Sequence, residues 1–310
     1  MSKRNLVGVV TVTHNSASVI QGFMDSLLKQ THRELILYVV DNASCDETLR
    51  LLSEYQHPKM VLIPNAANLG VAEGNNIGIR AAMKEGCSFV LLINNDTVFG
   101  SDLVSKLLEG LNQHRSEMVI PKILYFDEPE RIWCAGGTFS WIRGSARHWG
   151  LDQKDNQSFD QPREVNYGPT CCMLIKSEVF ERIGLMDPAY FVYFDDTDFC
   201  RRAYRAGIRL FYLPSARLLH KVSSLTGSQS DFTIRHLVRN HVYYLLKHFP
   251  LWQTVIYLPA FQVKILAKYL LAPTKLRIFV VTEKGFFEGI SLFRNRLKDI
   301  RKPLTPTEVQ

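Results

Sequence analysis

The turn Asn94-Asn95-Asp96 is the first feature of this sequence that could do chemistry. It follows the apolar run Phe89–Ile93 directly. Magnesium and manganese prefer oxygen ligands and bind through one or two carboxylates plus phosphate oxygens. We therefore predict a site for divalent Mg or Mn with Asp96 as a ligand. The alternative is an ordinary Asn/Asp turn.

Asp195-Asp196-Thr197-Asp198 places three carboxylates within four residues, just before a predicted helix. Like-charged neighbours raise the pKa of a carboxyl group, and a carboxylate facing a cleft can take the proton of an attacking hydroxyl. One of the three, Asp198, could instead cap the helix. A lone His220 is a structural residue unless it reaches Asp96, in which case it becomes a second metal ligand.

The glycine-rich stretch Asn68–Gly78 opens another predicted helix. Glycines allow a backbone to approach a ligand closely, and the first amides of a helix favour anions. The spacing is not GxGxxG, so dinucleotide binding is poorly supported. The alternative is a helix whose small residues pack against the sheet.

Apolar runs and amphipathic segments alternate along the first hundred residues, which predicts a mostly parallel, Rossmann-like α/β sheet with helices on both faces. Ligands of such sheets bind at the carboxyl ends of the strands. Four polar clusters fall at those ends: Thr13-His14-Asn15, Asp41–Ser44, Asn65–Gly70 and Asn94–Asp96. The predicted strands are Leu6–Thr13, Leu35–Val40, Met60–Ile63 and Phe89–Ile93, and the helices between and after them are Ser18–Gln30, Asp46–Tyr55, Val71–Lys84 and Ser101–His114.

After about Met118 the alternation loosens, and Asp152–Glu164 is predicted to be a loop. Order resumes with a predicted strand Cys172–Ile175 and helices Ser177–Ile183 and Thr197–Ala206. A last strand, Ile208–Leu213, is predicted to end at Pro214.

The C-terminal part of the chain is basic, whereas the rest is almost neutral. The net charge of the 310 residues is +7, and Arg235–Gln310 holds 13 Lys and Arg against 4 Asp and Glu. Its apolar run Leu251–Leu271 contains Pro259, Lys264 and Lys268, which favours an interfacial helix over a spanning one. This combination indicates a membrane surface rather than nucleic acid, or else helices that pack on the body or form a homo-oligomer. Pro303–Gln310 is predicted to be disordered.

The six cysteines show no CxxC spacing, and Cys171 and Cys172 are adjacent. We interpret them as reduced thiols. The apolar run that starts at Leu6 is too short for a signal peptide. The sequence thus predicts a cytoplasmic protein, peripheral on the inner face of the cell membrane.

Six segments together carry a family resemblance that each alone does not. They are VVTVTHN, VVDNASCDET, NLGVAEGNNIG, LLINNDT, GPTCCMLIKSEVFERIGLMDPAYFVYFDDTDFCRRAYRAG and LLHKVSS, which lie in this order between Leu6 and Ser224. In order and spacing the chain resembles the inverting glycosyltransferases of the GT-A fold, in the large family that includes rhamnosyltransferases.

The resemblance implies a role for each matching position. Asp41 would bond the nucleobase, Asp96 and His220 would hold the metal, and Asp196 of the Asp195-Asp196 pair would be the base. The acceptor side of the cleft would begin at Thr170, Cys171 and Cys172. The remaining nucleotide-sugar-binding positions would be Thr13, Asn15, Asn68, Gly70, Asn75, Asn94 and Asn95.

Two features distinguish the chain within this resemblance. Asn94 stands where a strict DxD element has its first Asp, which makes His220 and the donor's phosphates more important for the metal. The QxxRW signature of processive synthases is absent from the sequence. Addition of one sugar, rhamnose or another hexose, is therefore favoured over polymerisation.

The resemblance thus implies an inverting, metal-dependent transfer from a nucleotide-sugar donor to a glycan or lipid-linked acceptor in cell-surface polysaccharide assembly. Residues 1–234 would form the catalytic domain, with 1–115 binding the nucleotide-sugar and 116–234 the acceptor, and 235–310 a helical extension. Two alternatives are a sugar-nucleotide pyrophosphorylase and a binding protein without transfer activity. Thr13-His14-Asn15-Ser16, in place of a Gly-rich, Arg-containing loop, argues against the first.

Overall fold

The computed structural model describes residues 5–55, 59–140, 144–222, 230–271 and 276–301. The chain divides into two compact units, Met1–Leu225 and Thr226–Gln310. The predicted domain boundary after residue 234 falls inside a helix, Asp231–His248, of the second unit. The predicted disorder of Pro303–Gln310 and the end of the last family segment, Ser223-Ser224, lie outside the described residues.

The first half of unit one alternates as predicted, with bounds shifted by a few residues. β1, β2 and β4 are buried, as expected when helices cover both faces of a parallel sheet, whereas the edge strand β3 is largely exposed. The short strand β5 and its pairing were not predicted. The elements are β1 (Val7–Thr13), α1 (Ile20–Leu28), β2 (Leu35–Asp41), α2 (Thr48–Glu54), β3 (Met60–Pro64), α3 (Gly70–Lys84), β4 (Phe89–Ile93), β5 (Thr97–Phe99) and α4 (Leu103–Gln113).

The second half of unit one holds more strands than the sequence predicted, and part of the expected loop Asp152–Glu164 is ordered. The elements are β6 (Met118–Tyr125), β7 (Ile132–Cys134), β8 (Gly137–Ser140), β9 (Ser145–His148), a 3-10 helix (Gln157–Phe159), β10 (Arg163–Val165), β11 (Cys172–Lys176), α5 (Ser177–Ile183), a 3-10 helix (Pro188–Tyr190), α6 (Asp195–Arg205) and β12 (Leu210–His220). β8, β9 and β10 are three or four residues long and carry polar side chains, so they lack the apolar runs that mark a buried strand.

The prediction that the last strand ends at Pro214 was wrong, because β12 continues to His220. The register against β6 shifts between Leu213 and Arg217. Such an irregularity accommodates proline, which has no amide hydrogen for the ladder. The continuation pairs His220 with Thr97 of β5, one residue after Asp96.

The strands form one large sheet in the order β10-β12-β6-β11-β4-β1-β2-β3. β4, β1, β2 and β3 are mutually parallel, as are β6 and β12, while β11 runs antiparallel to both neighbours. Hydrophobic clusters bury both faces of the sheet. The predicted mostly parallel sheet is thus confirmed, with β8 and β9 forming a separate hairpin.

Helix α3 packs against β1 through its glycines. A Cβ atom at Gly74 would lie 2.7 Å from Val12, and one at Gly78 would lie 2.3 Å from Val10. At these two positions the small residues serve packing of helix on sheet, which was the alternative interpretation of the glycine-rich stretch.

The second unit consists of α7 (Asp231–His248), α8 (Leu251–Leu271) and α9 (Leu276–Arg301). Helices α7 and α9 approach closely, since a Cβ at Gly289 would lie 2.5 Å from the carbonyl oxygen of Arg239. Arg235 donates two hydrogen bonds of 2.6 Å to Glu288 across this pair. Within the described residues, none of the helices combines the length and apolarity needed to cross a membrane.

Candidate active site

Thr13 and Asp41 end adjacent parallel strands and pair directly in the register. Thr13 Oγ1 donates to Asp41 Oδ1 at 2.8 Å, while the Ser44 hydroxyl and amide donate to Oδ1 and Oδ2 at 2.6 and 2.9 Å. A carboxylate has about four acceptor positions, so Asp41 Oδ2 keeps one for a further donor. This buried carboxylate is held rigidly and can still accept a hydrogen bond from a ligand.

Asn15 joins the loops that follow β1 and β2. Its backbone adopts a φ of 52°, and its amide donates to Ser44 Oγ at 2.9 Å. Its side-chain Oδ1 accepts the amide of Cys45 at 2.8 Å. Asn15 therefore shapes the loop beside Asp41, and its side-chain carbonyl is already engaged.

The first amides of α3 are not available to an anion. The carbonyl oxygen of Phe191 accepts from Val71 N at 2.6 Å and from Ala72 N at 3.3 Å. Gly70, with a φ of 80°, admits this carbonyl, since a Cβ there would lie 2.5 Å from it. The close approach that the glycine permits is thus to another loop of the chain, the one that leads into α6.

Two further asparagines of this region also serve the protein itself. Asn68 Oδ1 accepts from Gly70 N at 2.9 Å and from the Asn42 side chain at 3.3 Å. Asn75 is buried, with its amide 3.6 Å from the sulfur of Met186. Asn68 remains exposed at the rim, whereas Asn75 lies on the packed side of α3.

Replacing Gly70 by Ala should lower the free energy of unfolding by more than the same change at Gly184. Both glycines have a φ near 75–80°, but nothing lies within 4 Å of a Cβ at Gly184. Strained backbone of this kind costs about 1–3 kcal/mol, and only at Gly70 does a collision with Phe191 add to it. Urea unfolding of both variants measures the difference, and equal losses would contradict the contact.

The Asn94-Asn95-Asp96 turn is tied to its neighbours by hydrogen bonds. Asn94 N donates to the carbonyl of Cys171 at 2.9 Å. Asn95 Nδ2 donates to the Val12 carbonyl at 2.7 Å and to Ser16 Oγ at 3.1 Å. The buried amide of Asn95 thus holds the turn against β1, and this leaves Asp96 as the acidic group of the turn.

Asp96 and His220 meet, as the metal prediction requires. His220 Nε2 lies 3.2 Å from Asp96 Oδ1, and both side chains are about 90% buried. Within the described part of the chain, neither Asp96 Oδ1 nor His220 Nδ1 has a hydrogen-bond partner. Unpaired buried polar atoms are costly, and a carboxylate oxygen with an imidazole nitrogen suits a divalent cation.

Among the described residues, no group of three or more His, Cys, Asp and Glu side chains could hold a metal. Asp96 and His220 therefore amount to two protein ligands. A cation bound here would take its other ligands from the donor's phosphates and water, as Mg²⁺ usually does. The residues fit a metal that arrives with the nucleotide-sugar.

The three carboxylates of the acidic turn have different environments. Helix α6 begins at Asp195, two residues earlier than predicted. Asp198 is fully buried and accepts from Arg202 Nε at 2.8 Å and Tyr190 Oη at 3.3 Å. Asp198 is thus a structural ion-pair partner in the first turn rather than the cap residue.

Asp195 is buried, and its Oδ2 has no hydrogen-bond partner within the described residues. Burial, with the nearby charge of Asp196, raises the pKa of Asp195 to about 8. Asp195 is therefore mostly protonated at neutral pH, which leaves Asp196 as the carboxylate that can act as a base.

Asp196 is half-buried and accepts three hydrogen bonds. Tyr167 Oη donates to its Oδ2 at 3.0 Å, and Thr197 donates through its amide and hydroxyl to Oδ1 at 2.6 and 3.1 Å. Burial raises the pKa of Asp196, and these donors oppose the rise. A positioned carboxylate with an elevated pKa is suited to general-base catalysis.

Sequence reasoning missed Trp133, His148 and Tyr167. These residues connect the Asp96–His220 pair with Asp196. The Trp133 ring contacts His220 and His148 edge-on, at centroid distances of 4.5 and 4.9 Å. His148 Nε2 lies 3.2 Å from Tyr167 Oη, which bonds Asp196. All three come from the segment where the predicted alternation loosens, and its richness in aromatic residues was their only signal.

Thr170, Cys171 and Cys172 are buried at the start of β11. Burial and the charge of Asp96 keep the pKa of Cys171 well above its ordinary value, so its thiol stays protonated. All six cysteines are free, and only Cys45 is exposed. The prediction of reduced thiols is consistent with this, and an acceptor-side role for Thr170, Cys171 and Cys172 stays a prediction.

The fold of this chain is that of GT-A glycosyltransferases of known structure. A crystal structure of GalNAc-T7 with UDP, GalNAc and Mn²⁺ matches with a TM-score of 0.61 and 18% identity, over 78% of this chain and half of that one. A crystal structure of S. aureus TarS 1-349 with UDP-GlcNAc matches with a TM-score of 0.57 and 15% identity, over 95% of this chain and 92% of that one.

The sequence model of glycosyl transferase family 2 matches residues 8–184, so the chain belongs to this family. An N-acetylglucosaminyl-diphospho-decaprenol L-rhamnosyltransferase of Mycobacterium tuberculosis is 25% identical over 76% of this chain and 82% of its own length. The dTDP-rhamnosyl transferase RfbF of Shigella flexneri is 23% identical over 69% of this chain and 68% of its own length. The family and fold that the resemblance implied are thus confirmed.

Proposed function

We propose that this protein moves one sugar from a nucleotide diphosphate donor to a hydroxyl of a glycan or lipid-linked acceptor, with inversion at the anomeric carbon. The observation that carries the proposal is the difference between Asp195 and Asp196. Burial raises the pKa of the first, and three hydrogen bonds hold the second as a partly exposed carboxylate. Asp196 is thus the carboxylate of this pair that is placed to act as a base.

Asp196 accepts the proton of the acceptor hydroxyl as that oxygen attacks the anomeric carbon. The bond from this carbon to the donor phosphate breaks, and its electron pair leaves with the diphosphate. Attack from the face opposite the leaving group inverts the configuration. Asp41 and the loops around Asn15 and Asn68 hold the nucleoside end of the donor at the rim.

Asp96 and His220 would hold a divalent metal, Mg²⁺ or Mn²⁺, beside the diphosphate. A metal bound there neutralises negative charge that develops on the leaving group. Support comes from the buried Asp96 Oδ1, which has no hydrogen-bond partner among the described residues and lies 3.2 Å from His220 Nε2. The GalNAc-T7 structure contains Mn²⁺, as does that of a mannosyltransferase, PcManGT.

Rhamnose is the donor sugar that we propose to test first, because two relatives are named for rhamnosyl transfer. A nucleotide-release assay with dTDP-rhamnose, UDP- and GDP-sugars, with and without a lipid-linked acceptor, decides among the alternatives. Release that depends on acceptor supports transfer. Binding without release would indicate a non-catalytic sugar-nucleotide protein, and pyrophosphate-dependent formation of nucleoside triphosphate a pyrophosphorylase.

We further propose that the second unit docks on the anionic, cytoplasmic face of the membrane, where a lipid-linked acceptor would lie. Helix α8 exposes large apolar side chains, among them Leu251 at 78%, Val263 at 67% and Leu270 at 66%. The segment is also basic, and basic, apolar helices bind anionic interfaces. Homo-oligomerisation through these helices is the alternative.

Replacing Leu251, Val263 and Leu270 together by Ser should abolish flotation of the full-length protein with phosphatidylglycerol vesicles. Burial of apolar surface drives interfacial binding, and these residues present it. The matched control replaces the exposed Val61, Leu62 and Leu151 of unit one, which are 41–45% exposed. Equal flotation of both variants would contradict docking, and a change in oligomeric state alone would favour the alternative.

A further inference from the structure

A chain of polar groups, each within hydrogen-bond distance of the next, leads away from Asp196. Tyr167 Oη lies 3.0 Å from Asp196 Oδ2 and 3.2 Å from His148 Nε2. The other ring nitrogen, His148 Nδ1, lies 3.1 Å from the carbonyl oxygen of Trp133. Tyr167 is buried and His148 is half-buried. The chain therefore has a carboxylate at one end and a partly accessible imidazole near the other.

His148, at the other end of this chain of polar groups, lines a cavity of about 740 Å³. Thr138, Arg147 and Gln153 belong to the same lining. The imidazole thus connects a half-buried carboxylate with a volume that can hold many water molecules.

The fixed acceptor at the end of the chain limits where protons can be. A carbonyl oxygen can only accept, so His148 Nδ1 must carry a hydrogen. Burial lowers the pKa of His148, which makes the neutral ring, with a bare Nε2, the resting form. When Tyr167 donates its one hydroxyl hydrogen to the Asp196 carboxylate, none is left for His148 Nε2. The bare Nε2 then faces the hydroxyl oxygen without a hydrogen bond.

Protonation of Asp196 completes the chain. The new carboxyl hydrogen donates to Tyr167 Oη, the Tyr167 hydroxyl turns to His148 Nε2, and Nδ1–H remains on the Trp133 carbonyl. All donors and acceptors are then matched. This arrangement aligns the route by which the proton can leave Asp196, from Tyr167 Oη to His148 Nε2.

We propose that Tyr167 and His148 form a proton relay that carries the acceptor's proton from Asp196 to the cavity. This rests on the proposed role of Asp196 as base. The O–H bond of the acceptor breaks and its proton binds Asp196 Oδ2. This proton then passes to Tyr167 Oη while the phenol's own proton moves to His148 Nε2. The imidazolium yields its Nε2 proton to cavity water and keeps Nδ1–H on the Trp133 carbonyl, and Asp196 returns as a carboxylate.

Other titratable groups surround the relay. Those that interact with Asp196 or His148, or line the cavity with His148, are Asp195, Cys134, Cys171, Cys200, His220, Arg147, Arg163 and Glu164, and Asp198 acts on Asp195 in turn. None of them lies between Tyr167 Oη and either of its two partners at the distances given.

The test compares His148→Ala and Tyr167→Phe with Thr138→Val, an exposed residue of the same cavity wall. We expect kcat to fall about tenfold or more in the first two variants, with the KM of donor and acceptor unchanged. Tyr167→Phe should also move the acidic limb of the kcat profile to higher pH. Asp196 must be ionised to act, and the phenol's hydrogen bond lowers its pKa. Thr138→Val should behave as wild type.

Added imidazoles distinguish a relay from a structural role. Imidazoles of graded basicity should restore the rate of His148→Ala to an extent that follows their pKa, and should not restore Tyr167→Phe. Rescue independent of pKa, or wild-type kcat and pH profile in both variants, would overturn the relay. Circular dichroism and thermal unfolding check that each variant folds. Absence of sugar transfer by the wild-type protein would instead contradict the proposed function.

Discussion

Asp196→Asn is expected to lower sugar transfer at least about 100-fold, the usual contribution of a general base, while nucleotide-sugar binding persists. The amide has nearly the shape of the carboxylate but cannot take up the acceptor's proton. It can still accept from Thr197, whose amide and hydroxyl donate to Oδ1. The measurement is single-turnover transfer alongside calorimetric binding of the donor.

The matched control is Asp195→Asn, in the same turn of α6. Because the pKa of Asp195 is about 8, its carboxyl is mostly neutral at pH 7, and a neutral amide changes little there. We expect a much smaller loss of transfer. Wild-type turnover of Asp196→Asn, or losses of equal size in the two variants, would remove Asp196 as the base.

Asp96→Ala is expected to abolish the metal-dependent part of donor binding. Loss of even an outer partner of a metal ligand costs about 10- to 100-fold in metal affinity, and Asp96 would be one of only two protein ligands. Calorimetry of nucleotide-sugar binding with Mn²⁺ and with EDTA separates the metal-dependent part. His220→Ala should weaken Mn²⁺-dependent binding as well, because His220 lies 3.2 Å from the Asp96 carboxylate.

Asp102→Ala is the control for the metal prediction. Asp102 is an exposed carboxylate that pairs with Lys106 at 2.7 Å, six residues beyond Asp96 in the sequence. Its replacement removes the same negative charge and leaves Asp96 and His220 unchanged. Equal Mn²⁺-dependent affinity in Asp96→Ala and Asp102→Ala would contradict the metal assignment.

Much of the sheet could be predicted because its strands are apolar runs and its helices have a regular apolar spacing. β1, β2 and β4 are buried on both faces, so each is visible without its neighbours. Strands such as β8, β9 and β10 are three or four residues long and carry polar side chains. Their pairing depends on partners far away in the chain, which no local pattern encodes.

Some features of the candidate site could likewise be predicted from the local sequence, and others depend on distant parts of the chain. Asp41, Asp96 and Asp196 stand beside elements that the sequence predicts, so their positions at strand or helix ends could be anticipated. The meeting of His220 with Asp96 depends on β12 continuing past Pro214, against the local signal of the proline. The glycine at position 70 had a ligand as its predicted neighbour, and in the structure that neighbour is Phe191.

The sequence by itself determined the alternating sheet, the rim of polar turns and the acidic residues that could act there, because these depend on local periodicity and residue chemistry. Only the tertiary structure decided how the environments of the neighbouring acidic residues differ. Asp195, Asp196 and Asp198 are near neighbours in sequence. Asp195 is buried with one oxygen that has no hydrogen-bond partner among the described residues, Asp196 accepts from Tyr167, and Asp198 pairs with Arg202. Desolvation and hydrogen bonding set the proton affinity of a carboxyl group, and both depend on atoms brought from distant parts of the chain.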